Sequence, residues 1–386
     1  MKKSLLSLAI LTAFLSHPVL AANQCDLNNL SKHTYRNQLL LFVCDITDKD
    51  IPKINAYLEK NFQIDMVHLG ENKIGDVGAE LLSKNEYVTS YYLWDNKISD
   101  AGAMTFAQNK HLINIDLSMN KNVTDRTAEA FSTSHIKYIG LWDTSITDKG
   151  LISLTRNPNI LGLTFGSQAI TSTGVKAVAE DSNLEAISIG TVKLHAWDIK
   201  RLSQNSSLKS LALHQTSTDE NDAVTISRNT NLIWLSLNNN MIGSRGANAF
   251  AVMPKLKYLF INNSNLEDDA FNSYAANSQI EYMDLRNNHL STGAAEALAQ
   301  MTGLKYLDLR SNNLFDSSAF ALATTTSIES LSASYNHIGK KGIKALEDHH
   351  FISLSTDHND GDEDCFKPEN SYPMQNFNEH ILKQLA

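Results

Sequence analysis

Cysteine, proline and basic residues are all scarce in this 386-residue chain. It contains three cysteines and six prolines, and 33 basic residues stand against 42 acidic ones, for a net charge of −9. No CxxC, HExxH, GxSxG, Walker or GxGxxG motif occurs, so the sequence predicts no enzyme, no cofactor and no metal site. There is also no long basic run, which disfavours nucleic-acid binding, because such binding clusters Lys and Arg against phosphates.

Long apolar runs are missing beyond the first residues. Lys2 and Lys3 precede a short apolar stretch at 5–15, and Val19 and Ala21 are small residues at the positions that a signal peptidase recognises. This pattern predicts a secretory signal peptide over residues 1–21, with a retained N-terminal anchor as the alternative. We therefore expect no stable membrane insertion of the mature chain. It should be secreted or periplasmic, with delivery into a host cell left open.

Apolar residues recur with a period of 24 residues. The segments LIWLSLNNNMI, LKYLFINNSNL and IEYMDLRNNHL begin at Leu232, Leu256 and Ile280. Positions one, four and six of every repeat are apolar if Tyr91 and Ala333 are counted. Positions four and six of an extended strand face the same side, so one side of each strand should be buried. The twelve repeats start at Ile64, Val88, Leu112, Ile136, Ile160, Leu184, Leu208, Leu232, Leu256, Ile280, Leu304 and Ile328.

An asparagine and a helical half complete most repeats. Asparagine at position nine is expected to hydrogen-bond the backbone of the turn that leaves the strand. Small pairs, as at Gly78 and Gly102, then open a segment with room for about two helical turns. Aspartates in the repeats look like ordinary solvent-facing residues. The asparagines are Asn72, Asn96, Asn120, Asn240, Asn288, Asn312 and Asn336, while four middle repeats carry Thr144, Gln168, Val192 and Thr216 and are expected to be less regular.

The pattern LxxLxLxxNxI with a helical return resembles the leucine-rich-repeat family. More narrowly, it is similar to the 24-residue Gly-Ala-containing repeats of secreted bacterial virulence and effector proteins, related to the ribonuclease-inhibitor type. The resemblance implies an α/β solenoid, a horseshoe with a parallel concave sheet and short convex helices. It also implies host interaction. Catalytic or F-box modules of the kind that some family members carry have no counterpart in residues 22–63 or in the tail.

The chain is thus predicted to have four parts. These are the signal peptide at 1–21, an N-terminal cap at 22–63, the solenoid at 64–350, and a C-terminal cap with an acidic tail at 351–386. Cys25 and Cys44 could close a disulfide across the N-terminal cap of an exported protein, which would leave Cys365 free. The spacing of the cysteines alone leaves that bridge undecided.

Strand positions three, five and seven point away from the core and form the expected partner-binding face. Residues 24 apart stand side by side on neighbouring strands, so like residues form rows. Tyr, Trp and Arg are enriched at protein-binding hot spots. A nearly bare middle, with Gly162, Gly166 and Gly190, is expected between two aromatic clusters. One cluster contains Tyr92, Trp94, Tyr138 and Trp142, and the other contains Trp234, Tyr258, Phe260, Tyr282, Asp284, Arg286, Tyr306, Asp308 and Arg310.

Several functions remain open for this face. We expect a non-catalytic module, exported by a bacterium, that binds a partner protein, with host proteins among the candidates. A glycan-binding adhesin would use the same aromatic rows, and a structural periplasmic scaffold would use none of them. The tyrosine row could equally be a cross-strand ladder that only stabilises the sheet. The sequence leaves the oligomeric state open.

Overall fold

The computed structural model describes residues 25–275 and 277–360. The predicted signal peptide and the acidic tail with Cys365 lie outside these residues. The chain forms two compact units, which divide after Val192. None of the described helices is long and apolar enough to cross a membrane.

The first unit alternates strands with short helices. Strands β1 and β2 form an antiparallel hairpin, and β2 to β8 pair in parallel in chain order. The strands are β1 (Thr34–Tyr35), β2 (Gln38–Leu40), β3 (Met66–His68), β4 (Ser90–Tyr92), β5 (Asn114–Asp116), β6 (Tyr138–Trp142), β7 (Gly162–Gly166) and β8 (Ala186–Gly190). The helices are α1 (Ile51–Lys60), α2 (Asp76–Ser83), α3 (Asp100–Ala103), α4 (Asp125–Phe131), α5 (Asp148–Leu154) and α6 (Ser172–Ala179), with 3₁₀ turns at Leu30–His33 and Met104–Gln108.

The second unit repeats the same alternation. Strands β9 to β15 pair in parallel in chain order. They are β9 (Ser210–His214), β10 (Trp234–Ser236), β11 (Tyr258–Phe260), β12 (Tyr282–Asp284), β13 (Tyr306–Asp308), β14 (Ser330–Ser332) and β15 (Ser353–Ser355). The helices are α7 (Ala196–Gln204), α8 (Glu220–Ile226), α9 (Gly243–Asn248), α10 (Thr292–Ala299), α11 (Asp316–Leu322) and α12 (Lys340–Asp348), with 3₁₀ turns at Ala249–Val252 and Asp268–Phe271.

The predicted core is confirmed at every position that the 24-residue period assigns to it. Every residue at positions one, four and six is buried, including Tyr91 and Ala333. Paired residues on neighbouring strands, such as Leu259 and Met283, are 24 positions apart, which fixes like residues side by side. Parallel pairing also extends one strand before Ile64, through β2, and one strand beyond the twelfth repeat, through β15.

The asparagines at position nine hold the turns as predicted. The amide of Asn120 donates to the carbonyl oxygens of Leu93 and Leu117 at 2.9 and 3.0 Å, and its Oδ1 accepts from the Ile98 N–H at 3.1 Å. Each asparagine therefore joins its own coil to the preceding one. Asn359, outside the predicted repeats, makes the same contact with Asn336 and Ile338.

Five repeats lack this asparagine, and the four middle ones contain the longest strands. In the fifth, the hydroxyl of Ser264 donates to the carbonyls of Leu237 and Asn262 at 3.4 and 3.0 Å, and strand β11 keeps three residues. Strands β6, β7, β8 and β9 have five residues each, whereas the other repeats have strands of three. An asparagine amide binds the carbonyls of positions six and seven, as Asn120 does with Leu117 and Ser118, and so turns the backbone there. In the four middle repeats the strand pairing continues to position seven, so these repeats are extended rather than disrupted.

Aspartates at the helix starts form a second structural ladder. Asp76 accepts hydrogen bonds from the N–H and hydroxyl of Ser99, both at 2.7 Å, and from the Gly102 N–H at 3.1 Å. A methyl group at Gly102 would lie 2.7 Å from Oδ1 of Asp76, which explains the small residue there. Asp125 and Asp148 bind Thr147 and Thr171 in the same way. The expectation that these aspartates are ordinary solvent-facing residues is therefore wrong.

The N-terminal residues are held by a covalent bond and a helix. Cys25 and Cys44 are joined in a disulfide with their Cα atoms 5.4 Å apart. Helix α1 begins with Ile51-Pro52, and proline is well tolerated in the first turn because it has no N–H to leave unpaired. Its buried residues are Ile51, Ile54 and Leu58. The disulfide and helix α1 together cover the start of the first unit.

Candidate functional site

All thirteen candidate binding residues lie at strand positions three, five and seven, on the face opposite the core. Four of them belong to the first unit and nine to the second. Although these rows point away from the core, most of their aromatic residues are buried, and Tyr258, the most exposed of seven, is only 9% exposed. Neighbouring strands are about 4.8 Å apart, so large rings must lean over one another and cover their faces. The seven are Tyr92, Trp94, Tyr138, Trp234, Tyr258, Tyr282 and Tyr306.

The rings of the second unit form one interleaved layer. Trp234 stacks on Phe260 with 4.4 Å between ring centroids, and Phe260 stacks on Tyr282 at 4.9 Å. Tyr282 then lies 6.3 Å from Tyr306, and Tyr258 lies 5.4 Å from Trp234. Phe260 at position five bridges rings at position three, so the contacts zigzag across the strands. We call these five residues the aromatic layer.

Four charged side chains lie beside the aromatic layer. Arg286 donates to Asp284 through Nε at 2.8 Å and Nη2 at 2.6 Å, and its Nε lies 3.3 Å from Asp308. Arg310 donates from Nε to Asp308 at 2.9 Å. The two arginine side chains are 20% and 21% exposed, whereas both carboxylates are buried. We call Asp284, Arg286, Asp308 and Arg310 the charged quartet; its formal charge is zero.

Burial and pairing shift the pKa values within the charged quartet in opposite directions. Burial alone would raise the pKa of Asp284, but Arg286 and the amide of Asn262 outweigh it and lower this pKa below its usual range. Burial raises the pKa of Asp308, and the negative charge of Asp284 adds to the effect, despite the contact with Arg310. Arg286 therefore stabilises two carboxylates that would otherwise repel each other.

The neighbouring tyrosines are poor acids for the same reason. Burial raises the pKa of Tyr282 well above its ordinary value, and the charges of Asp284 and Asp308 raise it further. Burial, together with the charge of Glu281, raises the pKa of Tyr258 to about 12. Both hydroxyls therefore stay protonated and can donate hydrogen bonds at neutral pH.

Glycines in the first unit make room for two tryptophans. A methyl group at Gly70 would lie 2.6 Å from Cζ2 of Trp94, so that indole covers β3. Trp142 covers Gly166 and Gly190, where added methyl groups would lie 2.5 Å from Cδ1 and 2.6 Å from Nε1. The strands that were expected to be nearly bare are thus covered by a ring from a neighbouring strand. Glycine at position seven next to a tryptophan 24 or 48 residues away is the sequence signal for this arrangement.

Other side chains of the same face went unrecognised in the sequence. His68 stacks on Tyr92 with 4.5 Å between ring centroids, and burial lowers the pKa of His68 to about 3, so it is neutral. Asp116 lies over Gly140, where a methyl group would be 2.8 Å from its Cγ. Tyr138 packs with Ala186 and Leu161. Their position in the repeat could have identified His68 and Asp116, because both occupy position five.

Within the described parts of the chain, no group of three or more His, Cys, Asp or Glu side chains is placed to hold a metal ion. This face carries stacked aromatic rings, protonated tyrosine hydroxyls and two partly exposed arginines. Phe260 and Trp142 are the most accessible of its large rings, since both are only partly buried.

Two family profiles match the sequence. The profile described as leucine rich repeat matches residues 268–338, and that described as BspA type leucine rich repeat region, with six copies, matches residues 28–153. No curated protein matches the chain significantly.

Among the solved structures that match the chain, two are similar at low identity. An internalin (inlF) from Listeria monocytogenes str. 4b F2365 is 18% identical, with a TM-score of 0.49, over 88% of this chain and 94% of that chain. The structure of the TLR13–ssRNA13 complex is 16% identical, with a TM-score of 0.48, over 77% of this chain and 53% of that chain. Neither similarity is close enough to indicate a function. The repeated strand, asparagine turn and helix, together with the two matching profiles, identify the chain as a leucine-rich-repeat solenoid.

Proposed function

We propose that this protein is an exported, non-catalytic bacterial protein that binds a partner protein through the aromatic layer and charged quartet. Leucine-rich-repeat proteins generally act as protein–protein interaction modules. The observation that carries the proposal is the aromatic layer itself, in which five large rings from four consecutive strands are fixed against one another. A host protein is the partner that the similarity to virulence repeats implies.

The layer has the physical properties of a preformed binding surface. Its rings are already ordered by stacking, so a partner would not have to immobilise them, and this lowers the entropic cost of binding. Phe260, Arg286 and Arg310 are each partly exposed, and they offer an apolar anchor next to two cationic side chains. Aromatic residues and arginine contribute most strongly to protein interfaces.

The stacking favours a protein partner over a glycan. A sugar ring binds an aromatic side chain by lying on its open face. In the aromatic layer, Trp234, Phe260 and Tyr282 cover one another's faces at 4.4–4.9 Å. The accessible surface therefore consists largely of ring edges and polar groups, which suit a protein. A structural periplasmic role would need no specific partner at this surface.

Export is the second part of the proposal. The Cys25–Cys44 disulfide supports it, because such bonds persist in oxidising compartments outside the cytosol. N-terminal sequencing of the protein recovered from periplasm and culture medium would test the predicted cleavage after Ala21. A mature chain that still begins at Met1 would contradict it.

The binding surface is tested with a matched pair of phenylalanine variants. Phe260→Ala removes the partly exposed anchor of the aromatic layer, and Phe320→Ala removes an exposed phenylalanine from helix α11 in the same unit. Partners would be captured with the wild-type protein from periplasmic and host-cell lysates, identified by mass spectrometry, purified and titrated. We expect Phe260→Ala to weaken binding by about 30-fold, corresponding to about 2 kcal/mol, and Phe320→Ala to leave it unchanged.

The fold of each variant is checked by circular dichroism and urea unfolding. Wild-type affinity in a folded Phe260→Ala protein would contradict the proposal. Capture of a glycan in place of a protein, lost with the same variant, would support the adhesin alternative.

A further inference from the structure

An amide-rich strip of residues follows the strands of the second unit. It consists of positions eight and ten in repeats eight to twelve, and we call it the amide strip. None of its residues is Asp, Glu, Lys or Arg, whereas the same positions of the first two repeats hold Glu71, Lys73, Asp95 and Lys97. All of its residues are exposed except Ser311, which is half-buried. Its asparagines are Asn239, Asn263, Asn265, Asn287 and Asn313.

Most of these asparagines have a local reason for their position. All but Asn313 have φ angles of 50–58°, in the left-handed region that asparagine adopts more readily than most residues. The asparagines alone therefore do not indicate a ligand. Two large aromatic residues at the same edge have no such reason, because each replaces a residue type that the backbone favours.

Tyr335, at position eight, is the first of these aromatic residues. Its φ is 58°, a conformation in which a bulky side chain is strained, and this position holds Asn or Ser in repeats eight to eleven. The ring is 47% exposed and stacks on His358, with 4.4 Å between ring centroids and 8° between the planes. No other ring of the described residues stacks on Tyr335, so its second face is open.

Phe315 is the second, and it precedes helix α11 at the N-cap. At this position of other repeats, the hydroxyls of Ser99, Thr124 and Thr147 each accept a hydrogen bond from a backbone N–H of the helix. A phenyl ring cannot accept such a bond, so α11 lacks this stabilisation. Phe315 is 49% exposed, and its ring stacks on His337 with 5.5 Å between centroids.

The two stacked pairs lie close together at the C-terminal end of the amide strip. Tyr335 and His337 are two residues apart in one loop, so their Cα atoms are no more than about 7 Å apart. Oδ2 of Asp360 lies 3.5 Å from Nδ1 of His337, and Asn313, which is exposed, occupies the position of His337 one repeat earlier. This edge therefore combines two half-exposed rings with an imidazole, a carboxylate and an amide.

We propose that this edge binds a neutral oligosaccharide, with successive sugar rings on Tyr335 and Phe315. A sugar ring has C–H groups on its faces, which pack on an open aromatic face, and hydroxyls around its rim, which hydrogen-bond to amides, carboxylates and imidazoles. Asn313, His337 and Asp360 supply these hydrogen-bonding groups. A ligand that depends on ion pairs gains little from a strip without Asp, Glu, Lys or Arg.

The glycan site is separate from the aromatic layer. The rings of the aromatic layer cover one another's faces, whereas Tyr335 and Phe315 are each half exposed. The oligosaccharide is therefore a second ligand, and its binding does not depend on the partner protein of the aromatic layer.

Two substitutions separate binding from stability. Tyr335→Asn and Phe315→Ser introduce the residue types that the backbone favours, so each should raise the urea concentration at the midpoint of unfolding. Each also removes a ring on which a sugar would stack, so each should weaken glycan binding by about tenfold or more. Weaker binding by a more stable protein cannot be ascribed to unfolding.

Binding is measured on an array of neutral oligosaccharides from host glycoproteins, neutral oligosaccharides from bacterial polysaccharides, and sialylated and sulfated glycans. We expect the protein to bind one of the two neutral sets, which identifies the source, and to bind sialylated or sulfated forms no more tightly. The bound oligosaccharide is then titrated by calorimetry into the wild-type protein and the variants. Phe320→Ala, which removes another half-exposed phenylalanine from α11, and Phe260→Ala in the aromatic layer should both bind like the wild type.

The proposal would be overturned if no neutral oligosaccharide bound, if Tyr335→Asn and Phe315→Ser kept wild-type affinity, or if Phe320→Ala lost affinity equally. Lowered unfolding midpoints in both substitutions would also overturn it, by showing that the rings stabilise the coils. Binding lost in Phe260→Ala but kept in Tyr335→Asn would place the glycan on the aromatic layer instead. A captured protein that Tyr335→Asn no longer binds, with no glycan bound by the wild type, would assign this edge to a protein. None of these outcomes affects the partner-capture test with Phe260→Ala.

Discussion

Replacing Asn312 with alanine should destabilise the second unit far more than the same change at the next residue. Asn312 is buried, and its amide donates to the carbonyls of Leu285 and Leu309, both at 3.0 Å. Its Oδ1 accepts from the Leu290 N–H at 3.1 Å. Asn313 is exposed and contributes only its backbone N–H to this network.

The expected magnitude follows from what remains after the substitution. The carbonyl of Leu285 keeps the amide of Asn288, and that of Leu309 keeps the amide of Asn336, so neither is left unpaired. The N–H of Leu290 loses its acceptor inside the core, which costs about 1–3 kcal/mol. Two lost hydrogen bonds of about 0.5–1.5 kcal/mol each bring the total to about 2–6 kcal/mol.

Urea unfolding followed by circular dichroism measures this difference. Asn312→Ala should lower the transition midpoint clearly, whereas Asn313→Ala should change the free energy of unfolding by no more than about 0.5 kcal/mol. Asn312→Asp should be at least as harmful as alanine at neutral pH, because a carboxylate cannot donate to the two carbonyls. If Asn312→Ala and Asn313→Ala unfold at the same urea concentration, the asparagine contacts do not hold the coils together.

Three further perturbations address other parts of the structure. Burial lowers the pKa of His68 from 6.5 to about 3. Between these pH values the unfolded chain binds a proton at His68 and the folded chain does not. The free energy of unfolding should therefore fall as the pH drops from about 6.5 toward 3. In urea unfolding at several pH values, His68→Phe should reduce the pH dependence of the free energy of unfolding by about 1.4 kcal/mol per pH unit, which corresponds to one proton. Arg286→Met should cost about 3–5 kcal/mol in urea unfolding, by leaving two buried carboxylates side by side, while Arg245→Met, at an exposed pair, should cost less than about 1 kcal/mol. Met119, with a φ of 63°, adopts the left-handed conformation that asparagine tolerates better, so Met119→Asn should raise the melting temperature.

The repeat core could be predicted from the sequence because it depends on period alone. Positions such as Leu307 and Leu309 are buried by strand geometry whatever the neighbouring side chains are. The asparagine at position nine was predictable for a similar reason, since every coil has the same turn to satisfy. The ladder of Asp76 and Asp125 was missed because its partners, the Ser or Thr and Gly of the next coil, are ordinary surface residues by composition.

The burial of the concave rows could not be predicted in this way. Alternation along a strand shows which face a side chain takes, but its exposure depends on the residue 24 or 48 positions away. Trp142 can lie flat because Gly166 and Gly190 lack side chains, and Asp116 can lean because Gly140 does. The exposure of these side chains can be read from the sequence only when the neighbouring strands are aligned in register.

The proposed binding surface also stabilises the sheet, which changes how it has to be probed. The aromatic layer was expected either to bind a partner or to act as a ladder that stabilises the sheet, and its stacked rings satisfy the second role whether or not they serve the first. Removing Trp234 or Tyr258, both buried, would disturb the fold and obscure a binding defect. Phe260 and the arginines are partly exposed, so changes there report on recognition with the least cost to the sheet. A surface that is already packed before its partner arrives is also one that loses little entropy when the partner binds.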